Sequence, residues 1–205
     1  MQTKVTMPNF AKMVGTLKDL NKDVDKAISR TVSDCAQRAP AQVTKAVTAV
    51  YGIKSSEVTE AGQGAKRGAK TVGKIKVKGV SIDNVQLEYK GRLLTPIHFS
   101  MTPKAPPEKG KKFKVRAAIY KGSKKTLGTG LWLAKPKKKV EDGKDPPYIA
   151  WKRVGKTRYP IEVIRTVSIP QMIDNEKVNA DIKTRMEDLL IKRLNHNTER
   201  LASKK

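Results

Sequence analysis

The sequence predicts an α+β fold: an N-terminal helical segment, a central mostly antiparallel β-sheet with long basic loops, and a C-terminal amphipathic helix packed on the sheet. Three observations carry this. Apolar residues recur at spacings of three and four near both ends, they alternate with a period of two in the middle, and the connections between the alternating runs are rich in Pro, Lys and Gly. At 205 residues the chain reads as a single domain, with a helical segment over 1–60, a basic β region over 61–167 and a terminal helix over 168–205.

The first helix rests on a stripe of Phe10, Met13, Val14, Leu17, Leu20, Val24, Ile28, Val32 and Cys35, with Asn9 placed to cap its start. Pro40 should stop or kink it, because the residue before a proline avoids the α region. A second short helix is expected from Pro40 to Val50, with Val43, Ala46, Val47 and Val50 on one side and Gly52 as its C-cap. The stretch from Ala61 to Gly73 holds four glycines and no core pattern, which predicts a basic loop.

Beyond that loop the period changes. Ile75, Val77 and Val80, then Val85, Leu87 and Tyr89, then Phe113, Val115, Ala117 and Ile119 alternate with polar or small residues. Leu127–Leu133, Tyr148–Val154 and Ile161–Val167 are further strand candidates, and together they predict one antiparallel sheet or a small barrel. Two connections, TPKAPPEKGKK at 102–112 and AKPKKKVEDGKDPP at 134–147, read as extended basic arms. The last segment opens on Ser168 and Gln171 in capping-box spacing with Pro170 in the first turn, and Val178, Ile182, Met186, Leu189, Leu190 and Leu194 continue it as an apolar stripe. With 3 Phe, 5 Tyr and 2 Trp, the core must be mainly aliphatic.

Charge is distributed unevenly. The whole chain carries +25, and residues 61–160 alone hold 26 Lys and Arg against 6 Asp and Glu, while the two ends are close to balanced. A positive field gathered in this way calls for a polyanion or an acidic protein partner. The candidate partner-binding residues are Lys66, Arg67, Lys70, Lys74, Lys76 and Lys78, with Lys135, Lys137, Lys138 and Lys139. On one reading they meet nucleic-acid phosphates, with binding driven by counterion release and steeply salt-dependent. On the other they meet acidic protein surfaces in an assembly. Exposed aromatics that would stack bases are nearly absent around these arms, so sequence-specific nucleic-acid recognition is not expected, and non-specific DNA contact stays open.

Signs of catalysis are few. His98, in the run LLTPIHF, reads as a hydrogen-bonded core or sheet histidine, and His196 lies near the end of the last helix and should be exposed. Two imidazoles and the single thiol of Cys35 lack the spacing of a metal site, and Cys35 on a helical stripe reads as a buried spectator. The glycine-rich pieces at 62–68 and 127–130 do not match the phosphate-loop pattern, and no nucleophile elbow is present. Neither an enzyme nor a cofactor is expected. The N-terminus lacks the apolar run of a signal peptide and no stretch is long enough to span a bilayer, which places the chain in a soluble, reducing setting with no membrane partner.

The stretch WKRVGKTRYPIEVIRTVSIPQMI at 151–173 resembles the C-terminal signature of the phage minor tail protein Z family: a basic turn, the core Arg158, Tyr159, Pro160, Ile161 running on to Val163, then a Pro-containing entry into a long final helix. Across most of the chain the layout of a long helix, a basic β region and a terminal helix is similar as well, while residues 80–147 depart most. The resemblance implies a structural virion protein of the tail and neck, assembled in the host cytoplasm and acting in tail completion and head–tail joining. It also implies a homo-oligomeric ring, a hexamer foremost, with the tail terminator, tail tube and head–tail connector as partners. The rival expectation is an architectural protein that binds nucleic acid without sequence preference. From the residues alone, Pro160 cannot donate to a sheet ladder and belongs at a strand start or edge, while Tyr159 packs its ring and keeps its hydroxyl bonded. Ile161, Val163 and Val167 should then face the core, with Glu162 and Arg165 outward. That assigns Arg158 to Ile161 to fixing the join between the sheet and the last helix, in preference to touching a partner.

Overall fold

The computed structural model describes residues 2–5, 22–63, 73–81, 84–108, 111–136 and 145–203. In chain order the elements are β1 (Gln2–Val5), α1 (Lys22–Val50), α2 (Ser55–Gln63), β2 (Gly73–Ser81), β3 (Asn84–Gly91), a 3-10 turn (Pro96–Phe99), β4 (Arg116–Tyr120), β5 (Ser123–Thr126), β6 (Trp132–Ala134), β7 (Ile149–Arg153), β8 (Ile161–Val163), α3 (Ile169–Asp174) and α4 (Glu176–Ala202). This is the expected α+β order, with helices toward both ends and antiparallel strands between them, except that β1 lies in the segment expected to be helical, precedes α1 and pairs with β3. The early part of the first stripe, Phe10 to Leu20, lies outside the described residues.

Pro40 does not end the helix. A single helix runs from Lys22 to Val50 with Pro40 inside it, so of the two expectations, a stop giving a helical hairpin or a kink in one rod, the hairpin is excluded. An internal proline removes one ladder hydrogen bond and crowds the preceding turn, at about 3 kcal/mol. What outweighs this is a stripe that keeps its phase through the proline: Ile28, Val32, Cys35, Ala39, Val43, Ala46 and Val47 are all buried. Each fully buried Val or Ile among them contributes roughly 1.5–3 kcal/mol. Most of that face packs on α4, whose Val178, Ile182, Met186, Leu189 and Leu190 join the same cluster.

Gly52 does a different job from the C-cap predicted for it. The helix ends against a strand: Lys121 N donates to Val50 O and Gly52 N donates to Ile119 O, both at 2.9 Å, and the rings of Tyr51 and Tyr120 stack with centroids 5.2 Å apart. A Cβ at position 52 would lie 2.1 Å from the carbonyl oxygen of Ala118, so glycine is required for close approach. Helix α2, whose last turn falls where a basic loop is expected, follows at once and buries Val58 in the main cluster.

The strands form three small antiparallel sheets in place of one sheet or a barrel, ordered β1-β3-β2, β4-β5 and β6-β7-β8. Pro103, Pro106, Pro107, Pro136, Pro146 and Pro147 sit in the connections and offer no N–H for continued pairing. The strand expected from Phe113 begins only at Arg116, although Val115 is buried. Tyr89 and Ala117 enter the main cluster, whereas Met101, Val115, Leu133 and Ala150 make a second, smaller one, and Leu127 packs against both.

The capping box at Ser168 forms as predicted: its side chain accepts from Gln171 N, and the Gln171 side chain accepts from Ser168 N at 2.8 Å. It caps only the short α3. Asn175 interrupts the expected single helix, and its Oδ1 accepts from Lys177 N to start α4. The entry into α3 is fastened to the chain after β3, because Thr166 N donates to Leu94 O at 2.7 Å and Leu94 N to Val167 O at 3.3 Å.

Candidate docking surface

The β6-β7-β8 sheet starts in the core and ends outside it. Leu133 and Ala150 are opposite one another in register and both are buried in the second cluster. One residue further, Trp151 is half-buried, pairs with Trp132 and Val163, and donates from Nε1 to Ala134 O at 3.2 Å. From Lys152 through Glu162 every residue is exposed. The hairpin therefore outruns the core that anchors it.

Its tip is held in one shape. Val154 N donates to Pro160 O at 3.0 Å, the Thr157 hydroxyl donates to Tyr159 O, and Gly155 has φ of 135°, which only glycine adopts without strain. Lys152 faces Glu162 across the strands at 2.6 Å. Arg153 lies over the Trp132 ring at 5.8 Å and Arg158 over the Tyr159 ring at 5.8 Å, contacts worth about 0.5–1 kcal/mol each at exposed sites.

The resulting surface mixes apolar and cationic groups. Val154, Tyr159 and Ile161 are 53%, 64% and 40% exposed. Lys152, Arg153, Lys156 and Arg158 are exposed in the same hairpin, with Arg153 opposite Ile161 and Arg158 over the Tyr159 ring, and Glu162 is the one acid of the 152–162 stretch. Large exposed apolar groups set among charges mark interaction surfaces more often than chance solvent exposure. A pre-shaped hairpin also loses less conformational entropy on docking than a mobile arm does.

The sequence expectation placed Ile161 in the core, and the structure puts it in solvent. Its partner in register is Arg153, past the last buried residue of β7, so no core lies behind that pair. Pro160 does sit where its missing N–H predicts, directly before the edge strand β8. Further along, Ile164 packs on the second cluster and Val167 on the main one, so the join to α3 is fixed beyond the Arg158–Ile161 signature.

Of the other predicted partner-binding residues, Lys74, Lys76 and Lys78 occupy β2, in register with Lys90, Glu88 and Gln86, on a different sheet from the hairpin. Lys66, Arg67, Lys70, Lys137, Lys138 and Lys139 lie outside the described residues. Lys135 is engaged internally: its Nζ contacts Asp145 at 2.5 Å, a hydrogen bond that raises the lysine pKa, and lies 5.4 Å from the Tyr148 ring centre. Sequence reasoning named Arg158 to Ile161 but passed over Lys152, Arg153, Val154 and Lys156. The signal was a β-strand pattern whose basic share rises toward a Gly-containing turn.

His98 stands in the 3-10 turn and not in a strand, and its Nδ1 is 2.8 Å from Glu57 Oε2. Cys35 is buried, and burial first and Asp34 second push its thiol pKa up to about 11. Among the described residues no group of three or more His, Cys, Asp or Glu converges on a metal position, and no helix is long and apolar enough to cross a membrane.

Comparison with curated proteins and with solved structures gives no match. The family model for prophage minor tail protein Z (GPZ) matches residues 10–204, which takes in the helical frame, every strand except β1, and the hairpin. The chain belongs to the prophage minor tail protein Z family and is a phage minor tail structural protein.

Proposed function

We propose that this chain completes the tail and joins it to the head, working as a homo-oligomeric ring of six copies in the neck. The exposed β7–β8 tip, with Val154, Tyr159 and Ile161 set among Lys152, Arg153, Lys156 and Arg158, is the observation that carries this reading. A ring of identical subunits needs contacts between unlike faces that close by rotation, and a projecting hairpin on a firm base suits such a contact. Its cations match acidic surfaces on a tail terminator, tail tube or connector, and its apolar groups supply the desolvated centre of the contact.

The test is complementation of a phage lacking this gene. Tyr159→Ser, and separately Lys156→Glu with Arg158→Glu, are expected to leave heads and tails unjoined in electron micrographs, while the purified variants keep the parental melting curve. Normal yields of joined particles from both variants would overturn the reading. The second reading, non-specific binding of DNA, is favoured by the concentration of positive charge in residues 61–160. Tight duplex binding by the free protein that weakens steeply with salt would support it.

A further inference from the structure

A cavity of about 620 Å³ opens on another part of the molecule, between the start of α2, the 3-10 turn with the residues that follow it, β5, and the chain entering β7. Its wall has two characters. Ile97, Met101, Pro147 and Tyr148 give it an apolar side, and Lys54, Lys104 and Lys124 give it a cationic one.

The one carboxylate in the wall is Glu57, and it is already engaged. Its Oε2 lies 2.8 Å from His98 Nδ1, with each side chain about a quarter exposed, at 26%. A carboxylate can only accept, so the proton of this bond sits on Nδ1. His98 thereby fixes the position of Glu57, whose single negative charge offsets one of the three lysine charges. Lys124 Nζ is oriented by the Thr102 hydroxyl, and none of the three ammonium groups has an ion-pair partner among the described residues. With three ammonium groups against one carboxylate, the described wall keeps a net positive charge beside an aliphatic surface.

We propose that this cavity binds a short acidic peptide segment of a neighbouring protein, its carboxylates meeting Lys54, Lys104 and Lys124 while an aliphatic side chain enters beside Ile97 and Met101. Charge complementarity calls for an anion, and the apolar side selects among anions. A nucleic-acid strand fits less well: among the described wall residues Tyr148 is the only Phe, Tyr or Trp, Lys135 Nζ already lies 5.4 Å from its centre, and the His98 ring is tied to Glu57. The proposal does not depend on the head–tail reading, because it concerns other elements and other residues.

The experiment measures fluorescence anisotropy of the full-length protein with a labelled peptide of alternating Glu and Leu. The controls are its Gln–Leu and Glu–Ser analogues and a single-stranded oligonucleotide of equal charge. The Glu–Leu peptide should bind about tenfold more tightly than either analogue. Lys54→Glu with Lys104→Glu should abolish that advantage, while Lys152→Glu with Lys156→Glu on the hairpin, the same change of net charge, should leave it intact. Failure of the Glu–Leu peptide to bind, or equal weakening by the two double variants, would overturn the proposal. So would an oligonucleotide that binds more tightly than the peptide and is released by the Lys54 and Lys104 changes.

Discussion

Asn197 and Thr31, 166 positions apart in the chain, meet in the interior: Asn197 Nδ2 donates to Thr31 Oγ1 at 3.0 Å, and Thr31 Oγ1 donates in turn to Ala27 O at 2.8 Å. Both residues are buried, at 4% and 0% exposure, so this is a polar tie between α4 and α1 inside an otherwise aliphatic contact. A polar group left without its partner in such a place is expensive, and that cost outweighs the net value of the bond itself. Thr31→Val alone, which strands the Asn197 amide, should cost about 1–3 kcal/mol in urea unfolding. Thr31→Val combined with Asn197→Leu should cost less than the two single changes added together. Additive losses would show that the bond does not couple the helices.

Pro40 makes a prediction of the opposite sign. Since the helix already runs through this position, Pro40→Ala restores an N–H to the ladder and removes the ring from the preceding turn. Stability should rise by about 1–3 kcal/mol, read as a higher urea midpoint with an unchanged slope. A loss of stability would mean that the ring itself is needed where it packs.

Gly52→Ala tests the junction between α1 and β4. The added methyl would meet the backbone oxygen of Ala118 at 2.1 Å, and backbone cannot swing aside as a side chain can. The change should destabilise by about 3 kcal/mol or more. It should also loosen the stacked Tyr51–Tyr120 pair, visible in near-ultraviolet circular dichroism. Full stability in the variant would show that the helix end does not sit this close to the strand.

Cys35 supplies a pH dependence. Its thiol has a folded pKa of about 11 against an ordinary value of 9.0, because burial disfavours the thiolate and Asp34 adds to the effect. A raised pKa contributes stability that is fully present below pH 9 and lost as pH climbs toward 11, where the unfolded thiol ionises and the folded one resists. Between these values the parent should lose roughly 2–3 kcal/mol more than Cys35→Ala. The same burial predicts that thiol reagents at neutral pH react with the folded protein only at its unfolding rate.

These features divide by how local their cause is. The capping box at Ser168 and Gln171 was legible because it is a four-residue motif, and the stripe from Val178 to Leu194 because a period persists over several turns. The continuity of α1 through Pro40 was harder to see. A proline rule acts on neighbours, whereas the stripe that overrides it draws its energy from α4, at the other end of the chain. The division into three sheets depends on which strands find partners, and alternation specifies only which faces are buried. At the hairpin, Pro160 could be placed from its missing N–H alone. Ile161 could not, since a β-branched residue in a strand pattern looks the same whether or not a core lies behind it. The pairing of His98 with Glu57 joins residues 41 positions apart and left no trace in spacing.

The contact between α1 and α4 also bears on how this chain can change. The two helices hold the ends of everything between them, so the intervening stretch is a loop closed at both feet by one aliphatic seam. Lengthening such a loop carries a small entropic cost, about 0.6 kcal/mol for each doubling of its length. Extra residues added at an exposed turn between the sheets, away from the seam, leave the helical clasp intact. The scaffold can thus accept insertions, reporter peptides among them, while its two ends stay locked together.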